Sequence, residues 1–335
     1  MATNKINIAI NGFGRIGRLT FRELLKSKNV SIVGINDLTD TKTLAHLLKY
    51  DSAQGVLDKK VSYTDKELII GSTKIPVYSE KDPSTLPWKK LNVDLVIEST
   101  GRFTDEKSAG LHLKAGAKKV LISAPATGNI PTVVYNVNHK ILTSEDKIVS
   151  GASCTTNALA PMAKVLDDKF GIEWGLMNTI HAFTADQRLQ DAPHSDLRRS
   201  RAASASIIPT STGAAKAIGL VLPNLNGKLH GLATRVPTIT GSLVDLTVVL
   251  KKDADVKAIN NAMKAAKNES FAYEEDPIVS CDVIGDTHGS VFDPGMTLEI
   301  AADSKKAFKV FTWYDNEYSY VSQFARTAIY LAKIK

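Results

Sequence analysis

The chain has 335 residues, 43% of them hydrophobic and 23% charged, with 21 Gly and 12 Pro scattered along it. That composition suits two globular domains of roughly 100–200 residues each and excludes collagen-like or low-complexity architecture. Two Cys cannot build a disulfide framework, and a formal net charge of +7 leaves nucleic acid, anionic surfaces and anionic metabolites open as partners, beside a plainly solvated basic surface.

In chain order, Met1-Ala2-Thr3-Asn4-Lys5 runs straight into the alternation Ile6-Asn7-Ile8-Ala9-Ile10, with no design for a cleavable signal. No apolar run is long enough to span a bilayer, which takes roughly 18 residues. The expectation is a cytoplasmic protein without a membrane partner. Strands are predicted over 6–10, 31–36, 68–70, 94–98, 120–122 and 133–135, and helices over 15–26, 41–48 and 107–115. This alternation predicts an α/β domain over 1–152 with a Rossmann-type parallel sheet. Beyond it, a helix is predicted over 156–170 with Pro161 inside it, then strands over 173–182, 238–251 and 309–314 and a helix over 254–267. A long connection over 184–208 carries Arg188, Arg198, Arg199 and Arg201. Connections of that length are usually functional or disordered. An amphipathic helix over 319–335 closes the chain.

The first motif is Gly12-Phe13-Gly14-Arg15-Ile16-Gly17, placed directly after a strand and opening a helix. Gly12 permits the tight turn, Gly14 lets backbone approach a pyrophosphate, and Gly17 allows close helix–strand packing. Asp37 ends the next predicted strand 20 positions after Gly17. Its carboxylate would accept from ribose hydroxyls and repel a 2′-phosphate, which favours NAD over NADP. The second motif is Ser150-Gly151-Ala152-Ser153-Cys154-Thr155-Thr156-Asn157, leading into a long helix. A helix N-terminus stabilises a thiolate, so Cys154 has the setting of a nucleophile. Of seven histidines, His181 ends an apolar run and is the candidate base and acid, with an imidazolium charge that would favour the thiolate. Cys281 lies in a mixed run and reads as structural. No C-x-x-C or His pair at ligand spacing occurs, so no metal site is expected.

With these residues in hand, the chain resembles phosphorylating NAD-dependent glyceraldehyde-3-phosphate dehydrogenases from Ile8 to about Lys333. The matching blocks are INGFGRIGR, HLLKYDS, ESTGRFT, KKVLISAPA, SGASCTTN, STGAAKA, RVP and WYDNEYSY. The resemblance implies a catalytic α+β domain over 153–316 with a mostly antiparallel sheet, and a last helix, 317–335, packing back on the first domain. It implies Cys154 as nucleophile with His181 as its base and acid. Ser153, Thr155, Thr184, Thr212, Gly213 and Arg235 would hold substrate phosphate and inorganic phosphate. Gly12, Gly14, Arg15, Ile16, Gly17, Asp37, Lys81, Ser123 and Asn316 would contact NAD. The stretch 184–208 resembles the family's S-shaped loop, which lies against a neighbour's cofactor in a homotetramer. Which of its arginines meets phosphate stays open. Where the family often has a second Cys, this chain has Ala158.

The implied activity is the glycolytic and gluconeogenic one: oxidation of D-glyceraldehyde 3-phosphate with NAD and phosphate to 1,3-bisphosphoglycerate through a Cys thioester. One rival keeps the fold and changes the aldehyde, as in an erythrose-4-phosphate dehydrogenase. A semialdehyde dehydrogenase is a second rival, against which SGASCTTN and RVP weigh. A third is not enzymatic and uses the +7 charge for secondary nucleic-acid or surface binding. No basic run interleaved with aromatics supports it.

Overall fold

The computed structural model describes residues 5–302 and 305–334. Residues 1–4 of the predicted first domain, and Lys335 of the predicted last helix, lie outside the described residues. The chain forms two compact units: Met1–Val133, His139–Ala152 and Phe324–Lys335 in one, Val134–Asn138 and Ser153–Gln323 in the other.

The first unit contains β1 (Ile6–Asn11), α1 (Arg15–Leu24), β2 (Val30–Asn36), α2 (Thr41–Lys49), β3 (Val61–Thr64), β4 (Glu67–Ile70), β5 (Thr73–Tyr78), β6 (Leu95–Glu98), α3 (Glu106–Lys114), β7 (Lys119–Ile122) and β8 (Ile148–Ser150). The sheet runs β3-β4-β5-β2-β1-β6-β7-β8. From β5 to β8 every pairing is parallel; only the β3-β4-β5 edge is antiparallel. It is the expected Rossmann-type α/β sheet. Its central strands are continuous apolar runs because helices cover both faces: Ile8, Ile10, Val96, Ile97, Val120 and Leu121 are fully buried. Each such side chain contributes about 1.5–3 kcal/mol on burial.

The strand predicted over 133–135 does not form. Thr132 makes an isolated bridge to Ser150, and the chain then turns. Asn138 Oδ1 accepts from Val134 N–H at 2.8 Å and Asn136 takes φ 61°, which breaks the extended run. The apolar pattern Val133-Val134-Tyr135 fits a strand, but local side-chain bonds to backbone compete with it.

The second unit contains α4 (Cys154–Phe170), β9 (Ile172–Ala182), β10 (Ile208–Ser211), α5 (Ala214–Val221), β11 (Leu229–Val236), β12 (Ser242–Leu250), α6 (Val256–Ala265), β13 (Phe271–Tyr273), β14 (Ser290–Ala302) and β15 (Lys305–Tyr314). Its sheet runs β10-β11-β9-β12-β15-β14-β13, antiparallel except at β11/β9 and β14/β13. One face is buried, carrying Met177, Val244, Leu246, Val248, Phe308 and Val310. The opposite face exposes Trp174, Leu176 and Leu232. The last helix, α7 (Tyr318–Lys333), begins in this unit, and residues from Phe324 onward count with the first. There Lys119 Nζ on β7 donates to Leu331 O and Ile334 O, both at 2.9 Å, capping the helix end. Among the described residues, no helix is long and apolar enough to cross a membrane.

Candidate active site

Cys154 is the first residue of α4. Ala152 takes φ 59°, a left-handed conformation costly for a residue with a Cβ, and its N–H donates to Ser150 Oγ at 3.1 Å. Ser153 then caps the helix: its Oγ accepts from Thr156 N–H at 3.1 Å. The thiol therefore sits against the positive end of a helix of 17 residues. The helix begins two residues before its predicted start, because Ser153 rather than Thr155 is the cap.

His181 comes from the buried face of β9. That strand alternates, so Gly175, Met177, Thr179 and His181 point inward while Trp174 and Leu176 point out. His181 Nε2 lies 3.4 Å from Cys154 Sγ. On β11, Arg235 is its register partner, and on β12 and β15 Ser242 pairs with Tyr314. Ser242 Oγ accepts from Ala182 N–H at 3.0 Å, tying the two pairs together. Register thus brings Arg235, His181 and Tyr314 to one end of the sheet, under Cys154.

The electrostatics follow from crowding and burial. Ala182 O lies 2.6 Å from His181 Nδ1 and accepts from Arg235 Nη1 at 3.1 Å. Nη1 is also 2.6 Å from Nδ1, so a second ring proton would place two cations in contact. Burial, then the Arg235 charge, pushes His181 down to about 3. The imidazole is neutral, with Nε2 facing the thiol. Burial pushes the Cys154 thiol up, while the Arg235 guanidinium and the Thr155 hydroxyl and N–H pull it back. The cation facing the sulfur is therefore Arg235, not the imidazolium expected from sequence.

Tyr314 was not singled out in the sequence. It is fully buried, its hydroxyl lying 3.0 Å from Thr155 Oγ1 and 2.8 Å from Thr179 Oγ1. Its ring meets His181 edge-on at 5.9 Å. Burial raises its hydroxyl well above the ordinary tyrosine range, so it remains a neutral phenol. The only sequence signal was its place in WYDNEYSY.

The anion-binding candidates share one neighbourhood. Thr212 and Gly213 form the turn from β10 into α5, where Thr212 Oγ1 accepts from Ala214 N–H at 3.2 Å. Arg199 of the long loop reaches this turn: its Nε donates to Thr210 Oγ1 at 2.9 Å, its Nη2 to Ser211 O at 3.1 Å, and its Nη1 pairs with Asp186. Arg199 is also close enough for its charge to lower Arg235. Arg188 and Arg201 instead bond within the loop, to Pro193 O and Asp191. Arg235 Nε is buried without a hydrogen-bond partner, and so is the Gln187 amide. An unpaired buried guanidinium N–H is a binding group for an anion. Thr184 is at the start of the loop, where its O accepts from Gln187 N–H at 2.9 Å. Ser153 and Thr155 hydroxyls already serve the helix cap and Tyr314.

In the first unit, the dinucleotide candidates gather at the C-terminal ends of the parallel strands, where such sheets bind ligands. Gly12 follows β1 with φ 88°. A Cβ on Gly17 would lie 2.1 Å from Gly12 O, so α1 packs on the turn only as glycine. A Cβ on Gly14 would meet nothing within 4 Å. That open space beside the first turn of α1 fits a pyrophosphate, with the Ile16 and Gly17 N–H groups lacking acceptors inside the helix. Arg15 is held by Asp51 at 2.6 Å. Asp37 follows β2; it accepts from Phe13 N–H at 2.7 Å and Thr39 N–H at 2.9 Å, which turns its carboxylate toward the glycine turn. Lys81 follows β5 and is exposed; Ser123 follows β7, its N–H donating to Glu98 O at 2.9 Å. In the second unit, Asn316 Oδ1 accepts from Ser242 Oγ at 2.8 Å and Thr240 Oγ1 at 3.2 Å, which fixes its amide with Nδ2 as the group left for a ligand.

Two family models match the chain: "Glyceraldehyde 3-phosphate dehydrogenase, NAD binding domain" over residues 6–106 and "Glyceraldehyde 3-phosphate dehydrogenase, C-terminal domain" over 153–316. Curated relatives named glyceraldehyde-3-phosphate dehydrogenase include those of Mycoplasma pneumoniae, 62% identical over 330 residues, and Clostridium acetobutylicum, 55% identical over 329. That of Clostridium pasteurianum is 54% identical over 329 residues. Each match covers 98% of this chain and 98% of the relative.

Proposed function

The chain belongs to the glyceraldehyde-3-phosphate dehydrogenase family, and from that premise we propose that it oxidises D-glyceraldehyde 3-phosphate with NAD and inorganic phosphate to 1,3-bisphosphoglycerate. The observation that carries this reading is the Cys154–His181 pair, 3.4 Å apart at the N-terminus of α4, with Arg235 beside it. An NADH-formation assay with this aldehyde tests it, phosphate being omitted in a parallel run. Sustained turnover only with phosphate is expected.

The chemistry follows from the groups present. Neutral His181 Nε2 takes the thiol proton as Sγ adds to the aldehyde carbon. The resulting oxyanion is stabilised by the Cys154 backbone N–H and by the imidazole, now protonated. NAD would supply the hydride acceptor when bound; Asp37 would hold its ribose, and the glycine turn with α1 would receive its phosphates. Cys154 is left as a thioester, which conserves the oxidation energy until phosphate attacks. Two anions must be held at once, and Arg235, Thr184, Thr212, Gly213 and Arg199 supply the donors, with Ser153 and Thr155 beside the sulfur. Arg199 is the loop arginine assigned to this role, because its side chain bonds the Thr210–Ser211 strand end, whereas Arg188 and Arg201 bond within the loop. Arg15, Ile16, Lys81, Ser123 and Asn316 complete the proposed cofactor contacts. Erythrose-4-phosphate dehydrogenase activity is not favoured, since the matched relatives carry the glyceraldehyde-3-phosphate name.

We also propose a homotetramer acting in the cytoplasm. The exposed apolar face of the second sheet, with Trp174, Leu176 and Leu232, supports self-association. Two free cysteines, one of them the proposed nucleophile, support a reducing compartment.

A further inference from the structure

Glu98 is 1% exposed and takes no part in the chemistry above. It ends β6, and its register partner Asn11 ends β1, immediately before Gly12. These strands meet where the sheet order reverses, the place an open parallel sheet keeps its ligand crevice. Glu98 Oε2 accepts from Asn11 Nδ2–H at 2.6 Å and from His112 Nε2–H at 2.9 Å. Glu98 Oε1 accepts from Thr100 N–H at 2.8 Å and from the Thr100 hydroxyl.

The direction of every bond is fixed. Trp88 Nε1–H can only donate, and it lies 3.0 Å from His112 Nδ1. Nδ1 therefore accepts, and the ring proton sits on Nε2, facing Glu98. Asn36 Nδ2 donates to Asn11 Oδ1 at 2.7 Å, so the amide end of Asn11 faces Glu98. Asn36 is itself set by Glu80, whose N–H donates to Asn36 Oδ1 at 2.8 Å. Only a carboxylate satisfies the donors around Glu98. A glutamine would turn its NH2 toward Asn11 and His112 or toward Thr100 N–H, and Trp88 prevents His112 from switching tautomer.

Both arms of this network reach the cradle. A Cβ on Gly12 would lie 2.7 Å from Thr100 N, and Ser99 Oγ donates to Gly12 O at 2.7 Å. We propose that Glu98, its acceptor role enforced by the Trp88–His112 pair, is the positioning residue of the dinucleotide cradle, clamping Asn11 and Thr100 on either side of the glycine turn. The proposal rests on reading the first unit as NAD-binding.

Calorimetric titration with NAD, without aldehyde, tests it on the full-length protein, Glu98→Gln and Thr100→Val. The expected result is a Kd raised at least tenfold in Glu98→Gln and about threefold in Thr100→Val. In Glu98→Gln, kcat at saturating NAD and KM for the aldehyde stay within about twofold of the unmutated values. Nitrogen NMR of the unmutated protein is expected to show His112 as the Nε2–H tautomer. A Glu98→Gln protein that binds NAD within twofold of the unmutated one overturns the proposal, as does a loss of kcat at unchanged Kd, or an Nδ1–H tautomer at His112. Should Glu98→Gln fail to fold, Thr100→Val decides, and an unchanged Kd there overturns the proposal. Failure of the unmutated protein to bind NAD would overturn the functional reading instead.

Discussion

At the scale of single residues, the second unit sets a neutral base against a half-buried thiol, with a guanidinium supplying the local positive charge. Removing that charge has a calculable sign. Arg235 lowers the Cys154 thiol, so Arg235→Gln is expected to raise it further and to slow alkylation at a fixed pH near neutrality. An alkylation pH profile unchanged in Arg235→Gln would show that the two groups are not coupled. Tyr314→Phe leaves the Thr155 and Thr179 hydroxyls without their shared buried partner, a cost of about 1–3 kcal/mol, measurable by denaturant unfolding. In the first unit, Asp37→Ala removes the carboxylate that would face a 2′-phosphate. The ratio of kcat/KM for NAD over NADP is expected to fall at least tenfold. Equal use of both cofactors by the unmutated protein would mean that Asp37 does not meet the ribose. Leu38, exposed beside it, offers no hydroxyl to soften that preference.

At the scale of elements, the most legible parts were those whose local chemistry and tertiary role agree. The glycine turn, β1, β2 and α1 follow from spacing alone, because Gly12, Gly14 and Gly17 each answer a different geometric demand. Cys154 was legible as a helix-start thiol. Arg235 and Tyr314 became neighbours of His181 only through register, which local pattern does not carry across distant strands. β11 was missed because Gly231, His230 and Arg235 dilute its apolar pattern. β14 was missed because Pro294-Gly295 reads as a turn, whereas it lies where the β14/β15 register shifts between Asp293 and Leu298. The charge on His181 was misread for a related reason: burial and the approach of Arg235 are tertiary facts. An element-scale prediction concerns α4. Ser153→Ala removes its N-cap and is expected to cost about 1 kcal/mol by chemical denaturation.

At the scale of the whole molecule, the buried neutral imidazole couples stability to pH. His181 is held to about 3 when folded, against an ordinary value of 6.5. The unfolded chain therefore binds this proton first. The stability gained by keeping the ring neutral is complete above about 6.5 and is lost as pH falls toward 3. Melting temperature is expected to drop between pH 7 and pH 4.5, and to drop less in His181→Asn. An equal drop in both proteins would place the acid sensitivity elsewhere. The central claim is that oxidation is stored on Cys154 until phosphate arrives. The most direct measurement is a rapid-mixing experiment with NAD and glyceraldehyde 3-phosphate without phosphate, followed by peptide mass analysis of the acid-quenched protein. The account predicts a burst of NADH of one equivalent per chain, an acyl adduct on the Cys154 peptide, and turnover resuming when phosphate is added. Steady NADH formation at the same rate without phosphate, or a burst that survives in Cys154→Ala, would contradict it.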